Sequence, residues 1–320
     1  MRMLDALLQG TLLGGYYAIL AAGLSLMFGV ARFINLAHGD NAILGAFIVL
    51  LGVEYFNMSP WFAMIGAIPI MYVLGWLTQK YVFDRTQRGG FLLPLLTTFG
   101  LAAVIQNGLF AGFGSDIRSL ADYIGDLSWD SWDLTDEISV GKLPVIVFVI
   151  AVVTLVGLQI VLSLSRFGRA VRATALDPEA AQLCGIDSAE VYRKITGIAF
   201  VLSAIAGVML AMRASIAPYS GPAQLIFAFE AVVIGGIGSL WGTLLGGIAL
   251  GVAQSVGAFF DPQWFQLAGH SLFLLVLGVR FLNQKALHVG GWRAYLSSFS
   301  SDKRTAEKNI TPVKERGASQ

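Results

Sequence analysis

The chain has 320 residues, of which 56% are hydrophobic and only 13% are charged. Its mean hydropathy is +0.71, which excludes an ordinary soluble domain of this length. The formal net charge is +1, and no nucleic-acid partner is expected. Cys184 is the only cysteine in the sequence, so no intrachain disulfide can form.

Long apolar runs follow one another along most of the sequence. A helix needs about 20 apolar residues to cross a bilayer. Uncharged or nearly uncharged runs occupy residues 6–31, 41–53, 60–79, 91–115, 143–165, 195–212, 214–260 and 262–279. The run at 214–260 is about twice one crossing, which predicts two passes, or one pass plus a broken re-entrant pair. We therefore predict an all-α polytopic membrane protein with about eight transmembrane helices plus a broken or re-entrant segment. The first helix is expected to be retained rather than cleaved as a signal peptide.

Basic residues cluster at 80–90, at 166–194 and in the tail after residue 280, whereas 113–141 is rich in acidic residues. Because Lys and Arg mark cytoplasmic loops, the three basic regions are predicted inside and 113–141 outside. This scheme places the N-terminus outside and the C-terminus in the cytoplasm. The predicted organisation is a transmembrane domain at 1–285, a cytoplasmic loop within it at 166–194, and a flexible cytoplasmic tail at 286–320.

The stretch VRATALDPEAAQLCGID, residues 171–187, interrupts the apolar pattern with the signals of a short helix. Asp177 suits the N-cap, Pro178 suits the first helical position, and Glu179 favours the positive end of the helix dipole. Gly185 is a natural stop. A helix of about two turns is unstable alone in water, so it must pack on the lipid headgroups or on a soluble partner. The residues that share its apolar face, and that we expect to pack, are Ala180, Leu183 and Cys184.

The order Glu179-Ala180-Ala181, three residues, Gly185, nine residues, Ile195 resembles the EAA signature of ABC-importer permeases. In that family this cytoplasmic loop is the coupling helix and sits in a cleft of the ATPase subunit. The usual Leu-Pro ending is missing, since the chain has Ile198 and no proline there, which argues against the maltose-type subclass. The residues that the resemblance assigns to ATPase coupling are Arg169, Arg172, Asp177, Glu179, Ala180, Ala181, Gly185 and Ile186.

Three further stretches resemble the permeases of branched-chain amino acid ABC importers, the H-type subunit in particular. They are FINLAHGDNAILGAF at 33–47, LLTTFGLAAVIQNGLFAGFG at 95–114 and FEAVVIGGIGSLWGTLLGGIALG at 229–251. The resemblance implies a non-enzymatic permease of a bacterial or archaeal cytoplasmic (inner) membrane that binds no cofactor itself. The implied partners are a second homologous permease subunit, two ATP-binding cassette subunits that carry ATP and Mg, an extracytoplasmic solute-binding protein, and membrane lipid.

Polar side chains inside apolar runs are costly in hydrocarbon and tend to face a cavity or the bundle interior. Those expected along the translocation pathway are Asn35, His38, Asp40, Asn41, Thr97, Thr98, Gln106, Asn107 and Glu230. Each set has another explanation. Residues 33–41 could form a plain cytoplasmic turn, the threonines could bond to helix carbonyls, and the two amides on one span could join neighbouring helices. The competing interpretation of Glu230 is a structural bond to a broken helix.

A group of glycines interrupts the long apolar run. We expect Gly235, Gly236, Gly238 and Gly242 at a helix break or where two helices touch. The sequence holds no G-x-x-x-x-G-K-[ST] motif, so it cannot bind ATP through a phosphate loop. No metal site is expected either.

The favoured function is translocation of branched-chain or similar amino acids that an external binding protein delivers. The same importer type for urea, amides or aromatic acids stays open, because selectivity resides largely in the binding protein. Two other classes are an ion-coupled secondary transporter, for which Glu230 is the main deep carboxylate, and an intramembrane enzyme. His38 with Asp40, without a second convergent His or Cys cluster, is thin support for such an enzyme.

Overall fold

The structure is a computed structural model that describes residues 3–87, 90, 92–135 and 138–288. The helices before residue 114 are α1 (Met3–Ala31), α2 (His38–Phe56), α3 (Pro60–Thr78), α4 (Asp84–Thr86) and α5 (Leu92–Phe113). The α3 helix continues into α4 through a π-helical turn (Gln79–Phe83). The rest are α6 (Lys142–Leu164), α7 (Arg166–Leu176), α8 (Pro178–Leu183), α9 (Ser188–Arg213), α10 (Gly221–Gly235), α11 (Leu240–Phe260) and α12 (Trp264–His288). Two strands, β1 (Ser131–Thr135) and β2 (Ile138–Gly141), pair between α5 and α6.

Among the described residues, 8 helices are long and apolar enough to cross a membrane, and α10 is a shorter apolar helix. This confirms the predicted all-α polytopic fold with an additional broken segment. The chain divides into two compact units, Met1–Phe273 and Leu274–Gln320. Of the second unit, the structure describes the end of α12, up to His288. The predicted tail from residue 289 onward lies outside the described residues.

The helices α1 and α9 form the centre of the first unit and are buried along most of their length. The α1 helix packs antiparallel to α11, with Gly10 beside Val252 and Gly14 beside Ile248. Gly29 lies beside Gly238, just before α11 begins. The α9 helix packs on α2 and α3. By contrast, α3, α5 and α6 bury less than a third of their most apolar stretch, and their exposed apolar side chains suit a lipid or protein environment.

The segment between α5 and α6 forms an antiparallel hairpin, a feature that the sequence did not predict. The ammonium of Lys142 lies 2.5 Å from Oδ2 of Asp130, and this hydrogen bond lowers the pKa of the Asp130 carboxyl. Arg118 bonds to Glu54 at 3.0 Å, and its backbone pairs with Ile216. The segment is therefore fastened to the ends of α2 and α9.

Candidate functional site

Two helices begin in the interior of the bundle. Residues 32–37 leave the end of α1 without helical structure, and α2 starts at His38, whose Nε2 donates to the Leu20 carbonyl at 2.8 Å. Leu20 lies near the middle of α1. The α10 helix starts in the same way at Gly221, after the non-helical residues 214–220. The break between α1 and α2 therefore lies against the middle of α1 rather than beyond its end. Non-helical backbone in such a position must be buried in protein or line a cavity.

The N-termini of α2 and α10 touch each other through glycine. A Cβ on Gly39 would overlap the Gly221 carbonyl oxygen, and a Cβ on Gly221 would overlap the Asp40 carboxylate. The first amides of a helix have no intrahelical partners and carry a partial positive charge. Two positive helix ends therefore converge beside one buried carboxylate.

Asp40 is the charged residue at this meeting point, and it is 1% exposed. The Gln106 amide on α5 donates to Oδ1 of Asp40 at 2.9 Å. Oδ2 of Asp40 and both side-chain polar atoms of Asn41 are buried without a hydrogen-bond partner among the described residues. Because buried polar atoms are nearly always bonded in proteins, these atoms can serve a molecule that binds or passes here.

Asn107 follows Gln106 on α5 and reaches the non-helical segment before α10. The Tyr219 hydroxyl donates to Oδ1 of Asn107 at 3.5 Å, a long bond, and the Phe110 and Tyr219 rings lie 5.7 Å apart. The structure therefore brings together Asp40 and Gln106 from separate parts of the sequence. Asn107 contacts the segment before α10 instead, and its amide also donates to the Ala103 carbonyl at 2.8 Å.

Thr97 and Thr98 lie two to three turns away on the same helix. Their hydroxyls donate at 2.8 and 2.9 Å to the carbonyls of Leu93 and Leu95. These bonds within α5 are the alternative that the sequence left open, and they do not involve Asp40.

Asn35 and His38 face away from Asp40 and hold the break in place. Oδ1 of Asn35 accepts from the Ala37 amide at 3.0 Å. The Ser203 hydroxyl of α9 lies 3.1 Å from Nδ1 of His38. Both side chains are fully buried, so they fix the path of residues 32–37 against α1 and α9.

Glu230 lies on α10 and pairs with a histidine that the sequence did not single out. Nδ1 of His270, on α12, is 2.5 Å from Oε1 of Glu230, and Phe227 stacks on the His270 ring. Glu230 is 3% exposed, and its Oε2 has no partner in the described part of the chain. The Glu230 carboxylate thus joins α10 to α12 and takes no part in the bond between Gln106 and Asp40.

Two tyrosines of α1 complete the polar interior, and the sequence did not single them out. The Tyr16 hydroxyl donates to Gln224 of α10 at 2.6 Å, and the Tyr17 hydroxyl donates to Gln254 of α11 at 2.6 Å. The sequence did contain a sign of these bonds, because each tyrosine places a hydroxyl in an otherwise apolar run, and a buried tyrosine hydroxyl usually has a hydrogen-bond partner.

The glycine cluster forms the turn between α10 and α11. A Cβ on Gly235 would overlap the Gly242 carbonyl oxygen, and a Cβ on Gly242 would overlap that of Gly235. Gly236 and Gly238 lie in the turn. At Gly238 a Cβ would lie 3.7 Å from the Gly29 Cα, an ordinary contact, so space does not limit the residue at this position. Its constraint is a φ of +80° instead.

The loop expected on the cytoplasmic side folds into α7, which was not predicted, and the expected α8. Oδ1 of Asp177 accepts from the amides of Glu179 and Ala180 at 2.9 and 3.0 Å, which caps α8. Gly185 follows with a φ of +81°, a backbone conformation that favours glycine. Ile186 is half-buried, and its amide donates to the Ala181 carbonyl at 3.0 Å.

The outward side of α8 carries exposed apolar residues beside the exposed Glu179 and Gln182. Leu183 is 91% exposed and Leu176, just before α8, is 80% exposed. Ala180 is exposed and Ala181 is buried. Cys184 is exposed too, so it is not the buried packing residue within this chain that we expected. The face expected to pack therefore points away from the rest of the chain.

Two arginines hold α7 against the end of α6. Nη1 of Arg172 donates to the Leu162 carbonyl, and Nη1 of Arg169 donates to the Leu164 carbonyl at 3.5 Å. Carbonyls at a helix C-terminus lack intrahelical partners and attract cations. Both arginines thus orient the loop that carries α8. Among the described residues, no three His, Cys, Asp or Glu side chains are grouped to hold a metal.

Comparison with known proteins agrees with this architecture. The chain matches a family model described as branched-chain amino acid transport system / permease component over residues 6–282. It is similar to the high-affinity branched-chain amino acid transport system permease protein BraD of Pseudomonas aeruginosa, with 29% identity over 86% of this chain and 92% of that protein. The permease protein LivH of Salmonella typhimurium, of the same description, is 28% identical over the same shares.

A more distant relative is the probable branched-chain amino acid transport permease protein LivH of Methanocaldococcus jannaschii. It is 24% identical over 81% of this chain and 82% of that protein. No solved structure matches the chain. The family match covers most of the sequence and all the long helices, and the chain belongs to the family of branched-chain amino acid transport permeases.

Proposed function

We propose that this chain is the transmembrane permease of an ATP-driven importer and that its cargo is a branched-chain amino acid. The family match supports the permease role, and the names of the relatives that span most of both chains support the cargo. ATP and Mg bind partner ATP-binding cassette subunits, which perform the hydrolysis. This chain is a transport subunit rather than an enzyme.

The observation that carries the proposal is the exposed apolar end of α8. Leu183 is 91% exposed on a short helix whose start is fixed by Asp177. Exposed apolar groups rimmed by polar ones mark interaction surfaces, and a helix that docks in a groove presents its apolar side to the partner. In our proposal α8 inserts into a groove of the ATPase subunit.

The cargo passes the meeting point of α2 and α10. An amino acid is a zwitterion at neutral pH, so it needs one anionic and one cationic partner. The free Oδ2 of Asp40 suits the ammonium group, and the converging helix N-termini suit the carboxylate. Asn41 adds an amide donor and acceptor.

The other partners are a second homologous permease and an extracytoplasmic solute-binding protein. The segment between α5 and α6 receives the binding protein, with Trp129 and Trp132 exposed by 72% and 50%. The N-terminus lies outside and the tail lies in the cytoplasm, as the positions of basic residues indicate.

Co-purification of the ATPase subunits tests the docking role. We expect Leu183→Asp and Glu179→Lys to weaken their association about tenfold or more, because a charge would enter an apolar groove or reverse at the helix start. Asp122→Lys, a charge reversal on the outer segment, is the matched control and should leave association unchanged. Undiminished association and undiminished solute-stimulated hydrolysis in both α8 variants would show that the docking role is wrong.

Thiol labelling tests the orientation. The native Cys184 is exposed and should resist a membrane-impermeant reagent that is applied to intact cells. A cysteine at the exposed Asp126, introduced on a Cys184→Ser background, should react. Labelling with the reverse sidedness would contradict both the topology and the cytoplasmic position of α8.

A further inference from the structure

Arg32 connects the end of α1 to the loop that carries the docking helix. Its Nη2 donates to the carbonyls of Ala175 and Leu176 at 2.8 and 3.2 Å. These carbonyls end α7, where the helix dipole is negative and intrahelical partners are missing. An arginine here gains two bonds to groups that need donors.

The backbone at Arg32 is unusual. Its φ is +57°, a left-handed conformation that costs a non-glycine residue free energy. Such strain persists only where the surroundings determine it. Here the side chain is held by the end of α7, and the next residue, Phe33, is buried against Phe83 with ring centroids 5.1 Å apart.

The bond joins two functional elements along a short path. On one side, Leu176 is followed by Asp177, the cap of α8. On the other side, residues 32–37 lead directly to His38 and Asp40 at the meeting point of α2 and α10. Ser188 and Arg193 fasten α8 and α9 to each other and to α4, through Pro178 at 2.9 Å and Asp84 at 2.8 Å. The Arg32 bond instead ties the end of α7 to the start of residues 32–37, the segment that leads into the interior of the bundle.

A cavity leaves room for movement beside this bond. It has a volume of about 1080 Å³, and its walls include Arg32, Lys80, Pro178, Glu179 and Tyr192. The α8 helix can therefore shift relative to the end of α3 without first breaking a packed core. A shift of α8 would carry the Ala175 and Leu176 carbonyls with it.

We propose that Arg32 is a positioning residue that transmits displacement of the docking helix α8 to residues 32–37, and so to Asp40. This inference rests on the proposed function. Without the bond, a partner that pulls on α8 would move α7 and α9 but would leave the break between α1 and α2 behind. ATP hydrolysis would then continue without productive opening of the path.

The test uses the complete importer in proteoliposomes, with both permeases, both ATPases, the binding protein and labelled leucine. We expect Arg32→Ala to retain bound ATPases and solute-stimulated hydrolysis, while the leucine transported per ATP falls about tenfold or more, within the usual range of coupling between sites. Arg32→Lys, which keeps the charge, should lose less. Arg85→Ala removes a charge from another wall of the same cavity and is the matched control.

A second readout reports on the segment itself. On a Cys184→Ser background, the reactivity of a cysteine at the half-buried Leu36 should change when ATP is added, and this change should disappear with Arg32→Ala. If Arg32→Ala does not assemble, Arg32→Gln serves in both measurements. An unchanged ratio of leucine to ATP, or parallel loss of hydrolysis and transport, would overturn the inference. If the unmodified importer neither hydrolyses ATP nor takes up leucine, the proposed function itself fails.

Discussion

Two glycine-rich helix faces in the same bundle differ completely in their surroundings. Where α1 meets α11, a Cβ would overlap the backbone of the opposite helix at Gly10, Gly14, Gly247 and Gly251. On α5, no atom lies within 4 Å of a Cβ built at Gly100, Gly108 or Gly112. The first face is a closed seam between α1 and α11, and the second is open in this chain.

A glycine in an apolar helix therefore does not by itself indicate close packing between helices. At the α1–α11 seam, glycine lets two backbones approach closely, and dispersion contacts hold the helices together. On α5, the glycines leave a shallow surface beside Asn107. A second permease can cover this surface, or the surface can line the translocation pathway. The two faces therefore predict different results for the same substitution.

The largest difference is expected between Gly14→Leu and Gly108→Leu. At Gly14 the new side chain would start inside the Ile248 backbone, so the helices must separate, at a cost of more than about 3 kcal/mol. At Gly108 the space is open, and the change should lie within about 0.5 kcal/mol. Thermal unfolding of the two variants in detergent measures this difference. Equal loss of stability would show that the α1–α11 seam is not closed.

The turn between α10 and α11 is a smaller seam, and its two glycines oppose each other. Gly235→Ala and Gly242→Ala each place a methyl group on the other's carbonyl oxygen, and each should cost about 1–3 kcal/mol. Because one adjustment of the turn can relieve both overlaps, the double variant should cost less than the sum. Strict additivity in unfolding experiments would mean that the two positions do not share a contact.

The smallest expected effect is at Gly238, where conformation rather than space limits the residue. Gly238→Ala should cost about 1–2 kcal/mol, because an L residue is strained at positive φ. Gly238→Asn should cost less, since Asn tolerates this region. The bond from the Gly238 amide to the Ser25 hydroxyl at 3.1 Å can form in both variants. If Asn is worse than Ala by thermal unfolding, side-chain volume is the limit after all.

Local signals made α8 and the α10–α11 break predictable. A cap such as Asp177 and a stop such as Gly185 act within one or two turns, so their effect can be read from adjacent residues. The α7 helix escaped prediction because its arginines were interpreted as loop charge. In the structure Arg169 and Arg172 bond to the end of α6, and Val171 between them is buried.

Long-range partners could not be predicted in the same way. Glu230 was recognised as a costly buried carboxylate, but His270 lies 40 residues further along the sequence, and only the packing of α12 brings it near. The bond from Gln106 to Asp40 has the same character. The positive φ of Arg32 and the exposure of Cys184 likewise depend on tertiary structure, which helical periodicity does not determine.

The most direct test of the proposed function is uptake of labelled leucine into proteoliposomes that contain the complete importer. We predict accumulation that requires ATP, the ATPase subunits and the binding protein. Asp40→Asn should reduce accumulation strongly while the ATPases stay bound, because the neutral amide no longer attracts the ammonium group of the cargo. Uptake driven by an ion gradient in the absence of ATPases, or full uptake by Asp40→Asn, would contradict it.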